Sequence, residues 1–115
     1  MPVPFQPGEI LDLEFAVRSE DRNGTAQLSL SGEFDIAGIP VFAEEVDRMQ
    51  RQGRDLAAFD LAQLVFIDAV SLQAVLAVGQ GGSNGRPRPA LVGACRTVSR
   101  VFEAAGLEHH LADRQ

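Results

Sequence analysis

The sequence predicts an α/β fold: one domain with a mixed central β-sheet and helices packed against it, in the order β-β-α-β-α-β-α. Three observations carry this. The first third alternates apolar and polar residues with period two around an Asn-Gly pair, the pattern of a β-hairpin. Helical and strand-like spacings alternate thereafter, which implies parallel strands joined by right-handed crossovers. The chain has 115 residues, 45% of them apolar, which suits a single core and is too apolar for a disordered chain.

The elements follow in order. Residues 1–8 contain Pro2, Pro4 and Pro7 and read as an irregular lead-in, with the domain spanning 9–112 and a tail at 113–115. Leu11, Leu13, Phe15 and Val17 alternate with Asp12, Glu14 and Ala16, giving a first strand with one buried face. Asp21-Arg22-Asn23-Gly24 is turn chemistry, because asparagine and glycine supply the positive φ that tight hairpins need. Ala26, Leu28 and Leu30 alternate with Gln27, Ser29 and Ser31 as the second strand.

Asp35 is placed to cap the next helix. There Ile39, Phe42, Val46 and Met49 fall three and four apart, with charged residues on the other faces. Acidic residues early and arginines late suit the helix dipole, and Gly53 is the expected stop. Residues 56–61 are mostly apolar and read as a central strand covered on both faces. The apolar run continues to Ile67 and meets Asp68. A helix follows with Leu72, Val75, Leu76 and Gly79 on one face. Residues 79–85 hold four glycines and read as a turn-rich loop. A short strand is expected at 90–94. A last helix runs from about Thr97, with Val98, Val101, Phe102 and Ala105 as its stripe and Gly106 as its stop. Leu107 and Leu111 pack after it.

Composition bounds the function. The net charge is −6 and all ten basic residues are arginine. An acidic surface disfavours nucleic acid and anionic membrane, both of which need clustered positive charge. Cys95 is the one cysteine, so no internal disulfide can form. With neither a charged-then-apolar leader nor a long apolar run, a cytoplasmic location is expected.

Catalysis finds little support. His109 and His110 are adjacent near the end of the chain and read as solvated; Cys95 has no histidine nearby in sequence to act as its base. One cysteine and two neighbouring histidines do not make a zinc site, and the glycine cluster lacks the lysine of a phosphate-binding loop. No cofactor is expected. Asp68 has two compatible readings: an N-cap that accepts from the Val70 or Ser71 amide, or a carboxylate beside a helix start whose free amides favour an anion. Ser71 has a functional reading as a phosphate acceptor, and a structural one as a second partner for the open amides or a simply exposed hydroxyl.

Three stretches resemble one family. Leu28-Ser29-Leu30-Ser31-Gly32-Glu33-Phe34-Asp35 resembles the "LxGELD" signature of STAS domains, the family of bacterial anti-sigma factor antagonists. Phe59-Asp60-Leu61 followed by Val65-Phe66-Ile67-Asp68 resembles its strand and loop "VDLSxVxFID". Residues 96–107 resemble its final helix, "xxVxRVFExxGL".

The resemblance implies partner switching: binding of a serine-kinase-like anti-sigma factor, which frees a sigma factor. In the family the kinase phosphorylates a hydroxyl directly after the aspartate, and the added charge of about −2 breaks the interface. Asp68 matches the aspartate, but Ala69 stands at the acceptor position and has no hydroxyl. Val70 and Ser71 stand where the family has a small residue and a glycine, which leaves Ser71 as the substitute acceptor. The implied docking surface comprises Gly32, Glu33, Asp35, Ile36, Asp68, Ala69, Val70, Ser71 and Gln73. The alternatives are a module that senses a nucleotide or another small anion at the helix start, or a scaffold in a larger complex. Exposed apolar residues such as Val70 would serve a homodimer as well.

Overall fold

The computed structural model describes residues 13–81 and 88–112. The expected lead-in at 1–8, the tail at 113–115 and most of the glycine-rich loop lie outside the described residues. Four strands form one sheet in the order β1-β2-β3-β4: β1 (Ala16–Arg22), β2 (Thr25–Phe34), β3 (Asp55–Ile67) and β4 (Ala90–Val92). The helices are α1 (Ile39–Arg51), α2 (Ala69–Gly81) and α3 (Arg96–Ala104), with 3-10 turns at Ile36–Gly38 and Glu108–His110. β1 pairs antiparallel with β2, whereas β2–β3 and β3–β4 are parallel. The sheet is therefore mixed, in the predicted order.

The hairpin turns on Asn23 and Gly24, whose φ values of 54° and 87° are both positive, as a two-residue type I′ connection requires. Because that turn needs only two residues, Arg22 already pairs with Thr25. β1 therefore runs up to the turn; it begins at Ala16, later than the alternation from Leu11 suggests, because beyond the Ala16–Ser31 pair the Leu13–Glu14 backbone crosses over Gly32. Leu13 is exposed and Phe15 and Val17 are only partly buried. On β2 the alternation holds: Ala26, Leu28, Leu30 and Phe34 are buried, with Thr25, Gln27, Ser29 and Ser31 between them on the more open face.

β3 departs from its prediction in two ways. It has 13 residues, and it is not covered on both faces. Only Phe59, Leu61, Leu64 and Ile67 are buried, while Val65 and Phe66 are exposed. The cause is register. Bulges interrupt the β2–β3 ladder between Ser29 and Ser31 and between Gly32 and Glu33. Each bulge re-aims the side chains beyond it, so the buried positions fall two and then three apart. The Asp60 carboxylate settles one irregularity by accepting from the Ala62 N–H at 3.0 Å.

Helix α1 buries Phe42, Val46 and Met49 as its spacing requires. Its first turn holds no acidic residue, contrary to the dipole expectation, but Arg48 and Arg51 occupy its last turn. These arginines pair with Glu45 at 2.6 Å and Asp47 at 3.0 Å. Asp35 caps the 3-10 turn before α1, accepting from the Ala37 N–H at 3.0 Å, instead of capping the helix itself. α2 continues through residues 79–81 as helix, so the loop starts later than its glycines suggest. The core is joined by a run of rings: Phe15 stacks on Phe34 at 4.1 Å, Phe34 meets Phe42 at 5.2 Å, and Phe42 meets Phe59 at 6.0 Å. Aromatic pairs at such spacings contribute about 1 kcal/mol each beyond their buried area.

At the far end His109 is exposed and His110 is half-buried in the Glu108–His110 turn, so only His109 sits in solvent as expected. Burial pushes the His110 imidazole below its ordinary value, and the charges of His109 and Arg88 push the same way. The unfolded chain then binds a proton more readily than the folded one. Stability is full above the unfolded value of about 6.5 and declines as pH falls below it toward the folded value. Replacing His110 by Gln is expected to flatten the loss of melting temperature measured between about pH 7.5 and about pH 5.5.

Candidate functional site

β2 and β3 end side by side, with Glu33 opposite Phe66 and Phe34 opposite Ile67. The Asp68 N–H donates to the Phe34 carbonyl at 3.1 Å, which ties the start of α2 to the β2–α1 loop. α2 also touches the Ile36–Gly38 turn. The topology thus brings together two segments more than thirty residues apart in sequence.

Asp68 is the N-cap of α2. Its carboxylate accepts from the Ser71 N–H at 2.8 Å, and its carbonyl accepts from the Leu72 N–H at 2.9 Å. Such caps contribute about 1 kcal/mol. An Asp68→Ala protein is expected to melt about 5 °C lower, read by circular dichroism. The same carboxylate places negative charge at the amides where a small anion would dock, so the helix start is poorly suited to a nucleotide phosphate.

The expected site residues divide into surface and support. Glu33, Asp35, Ala69 and Gln73 are exposed, as are Ile36 at 68% and Val70 at 53%. Asp68 is half-buried at its cap. Gly32 is buried with φ +80°, under the Leu13 and Glu14 backbone, so it shapes the loop and offers no surface. Ser71 is 0% exposed, and its hydroxyl is a buried group without a hydrogen-bond partner among the described residues. Neither an exposed hydroxyl nor one bonded to the open amides is found, and both expectations are corrected. Ser71 precedes Val75 by four positions and so shares its inward face. A phosphate acceptor there would need α2 to open.

Exposed apolar residues extend beyond the expected set. Phe66 is 40% exposed beside Glu33, and Val41 is 50% exposed on the first turn of α1. Phe66 had a signal in the sequence, since the apolar run of β3 is longer than one buried face can use. Among the described residues no group of three His, Cys, Asp or Glu side chains could hold a metal ion. No helix there is long and apolar enough to cross a membrane.

Comparison with known proteins agrees with this fold. The family model described as "Mlab, STAS domain" matches residues 17–113, so the chain belongs to the STAS domain family. Among solved structures it is similar to an anti-sigma factor antagonist from Mycobacterium paratuberculosis, with 20% identity and a TM-score of 0.70 over 87% of this chain and 85% of the other. It is also similar to the anti-sigma factor antagonist SpoIIAA in its unphosphorylated form, with 22% identity and a TM-score of 0.72 over 87% of this chain and 89% of that one. At these identities the likeness is one of fold. No curated protein matches.

Proposed function

We propose that this chain is a non-catalytic regulatory module that works in the cytoplasm by binding another protein. Its partner on this reading is a serine-kinase-like anti-sigma factor, and the chain acts as the antagonist that frees the sigma factor. The observation that carries the proposal is the exposure of Ala69, Val70 and Ile36 together where α2 starts. Exposed apolar side chains beside the exposed Asp35 suit contact with a protein surface. The names of the two similar structures support the same class of partner.

Glu33, Asp35, Ile36, Asp68, Ala69, Val70 and Gln73 form the docking surface, held from beneath by Gly32 and Ser71. Ala69 has no hydroxyl for a kinase to modify, and Ser71 is buried beside it. The chain therefore stays in the binding-competent form whatever the kinase does.

Calorimetric titration against the kinase-like anti-sigma factors of the same organism tests this reading. Saturable one-to-one binding is expected with at least one of them. Folded protein that binds none, or that uses the patch only to pair with itself, would sink the proposal.

A further inference from the structure

A second surface borders the β2–α1 loop and shares Glu33 and Asp35 with the first. It is an open groove of about 420 Å³ lined by Leu13, Glu14, Glu33, Asp35 and Val41, among others. Two of these, Leu13 at 44% and Val41 at 50%, are exposed apolar side chains. Three are carboxylates, and none of the three takes part in an ion pair among the described residues, although carboxylates elsewhere pair with Arg18, Arg48, Arg51 and Arg54.

Among the described residues no basic side chain neutralises them. Residues 1–17 and 23–47 contain no arginine, lysine or histidine. The first twelve residues carry Glu9 and Asp12 and no basic side chain, so seating them in the groove would add like charge. A second copy docked groove to groove would set the carboxylates against each other, because a two-fold interface places the same patch on both sides.

We propose that this groove docks an apolar segment of another protein that carries arginine or lysine. Leu13 and Val41 take the apolar side chains, and Glu14, Glu33 and Asp35 receive the cations at the rim. Opposite charge at a rim steers association and sets orientation. The groove shares Glu33 and Asp35 with the docking surface proposed above, while Leu13, Glu14 and Val41 lie outside it, so shifts at Leu13 and Val41 report on the groove whether or not an anti-sigma factor binds at Ala69.

The test is a backbone-amide NMR titration of the full chain with a synthetic peptide alternating leucine and arginine. A peptide with glutamate in place of arginine is the control. Shifts are expected at Leu13, Glu33, Ala37 and Val41 with the first peptide and not with the second. The double variant Glu14→Gln/Glu33→Gln is expected to weaken binding about fivefold, and Val41→Ser to weaken it as well. All these positions are exposed, so the variants keep the fold. Shifts spread over the surface or centred on Ala69 would overturn the proposal, as would affinity unchanged in both variants. Nuclear Overhauser contacts from Phe5, Ile10 or Leu11 to Val41 in the free protein would give the groove to the chain's own first residues and overturn it too.

Discussion

An Ala69→Glu protein is expected to keep its fold and lose its partner. Ala69 is the first residue of α2 and is exposed, so the longer side chain meets solvent and no core atom moves. A carboxylate in the first turn also interacts favourably with the helix dipole, by about 0.5 kcal/mol. Stability is therefore unchanged or slightly higher. Binding moves the other way. The new charge stands between exposed Val70 and the Asp68 carboxylate, where it lowers the apolar contact and adds like charge to an acidic rim. Like-charge or desolvated-charge placement at an interface costs several kcal/mol, so affinity for the anti-sigma partner is expected to fall at least about tenfold. Calorimetry with the native and substituted proteins, alongside their melting curves, reads both effects. Unchanged affinity would place the interface elsewhere on the molecule.

Gly32→Ala is expected to cost stability without altering any exposed side chain of the site. Gly32 has φ +80°, and a Cβ there would collide with the Glu14 carbonyl and stand 2.7 Å from the Leu13 carbonyl oxygen. The Leu13 carbonyl also accepts from the Glu33 N–H at 2.8 Å, so relief of the clash breaks that bond. Left-handed backbone alone costs an alanine about 1 kcal/mol. Adding the displaced crossing brings the expected loss to about 3 kcal/mol, or about 15 °C in melting temperature. Gly53→Ala is the matched control. Gly53 has φ +72°, and a Cβ added there would meet nothing within 4 Å, so only the backbone cost of about 1 kcal/mol should appear. Equal losses at the two positions would show that the Leu13–Glu14 crossing contributes nothing.

What could be read from sequence was local. The Asn23-Gly24 turn, the Phe42, Val46 and Met49 stripe and the cap at Asp68 each rest on chemistry within a few residues. The order of elements followed from these. The misplaced features depend on distant partners. The bulges of β3 arise from its pairing with β2, and they turn Val65 and Phe66 outward. The start of β1 lies where its pairing with β2 ends at Ala16 and Ser31, and the crossing of Leu13 over Gly32 joins residues far apart in the chain. Ser71 is the instructive case. Its type suggested a surface hydroxyl, while its spacing from Val75 placed it inside, and spacing prevailed. At the candidate site the Asp68 cap was legible, and the division of its neighbours into exposed and buried groups was not, because exposure depends on what the Ile36–Gly38 turn and α2 cover.

The central claim is that binding persists because Ala69 cannot be phosphorylated. It is tested most directly by titrating the native chain and an Ala69→Ser protein against the kinase-like anti-sigma factor, with and without ATP, and locating any phosphate by mass spectrometry. The expected result is equal affinity of the native chain in both conditions with no phosphate attached. Ala69→Ser should take up phosphate at the new hydroxyl and lose at least about tenfold in affinity when ATP is present. Loss of native binding in ATP, with phosphate on Ser71 or any other residue, would contradict it.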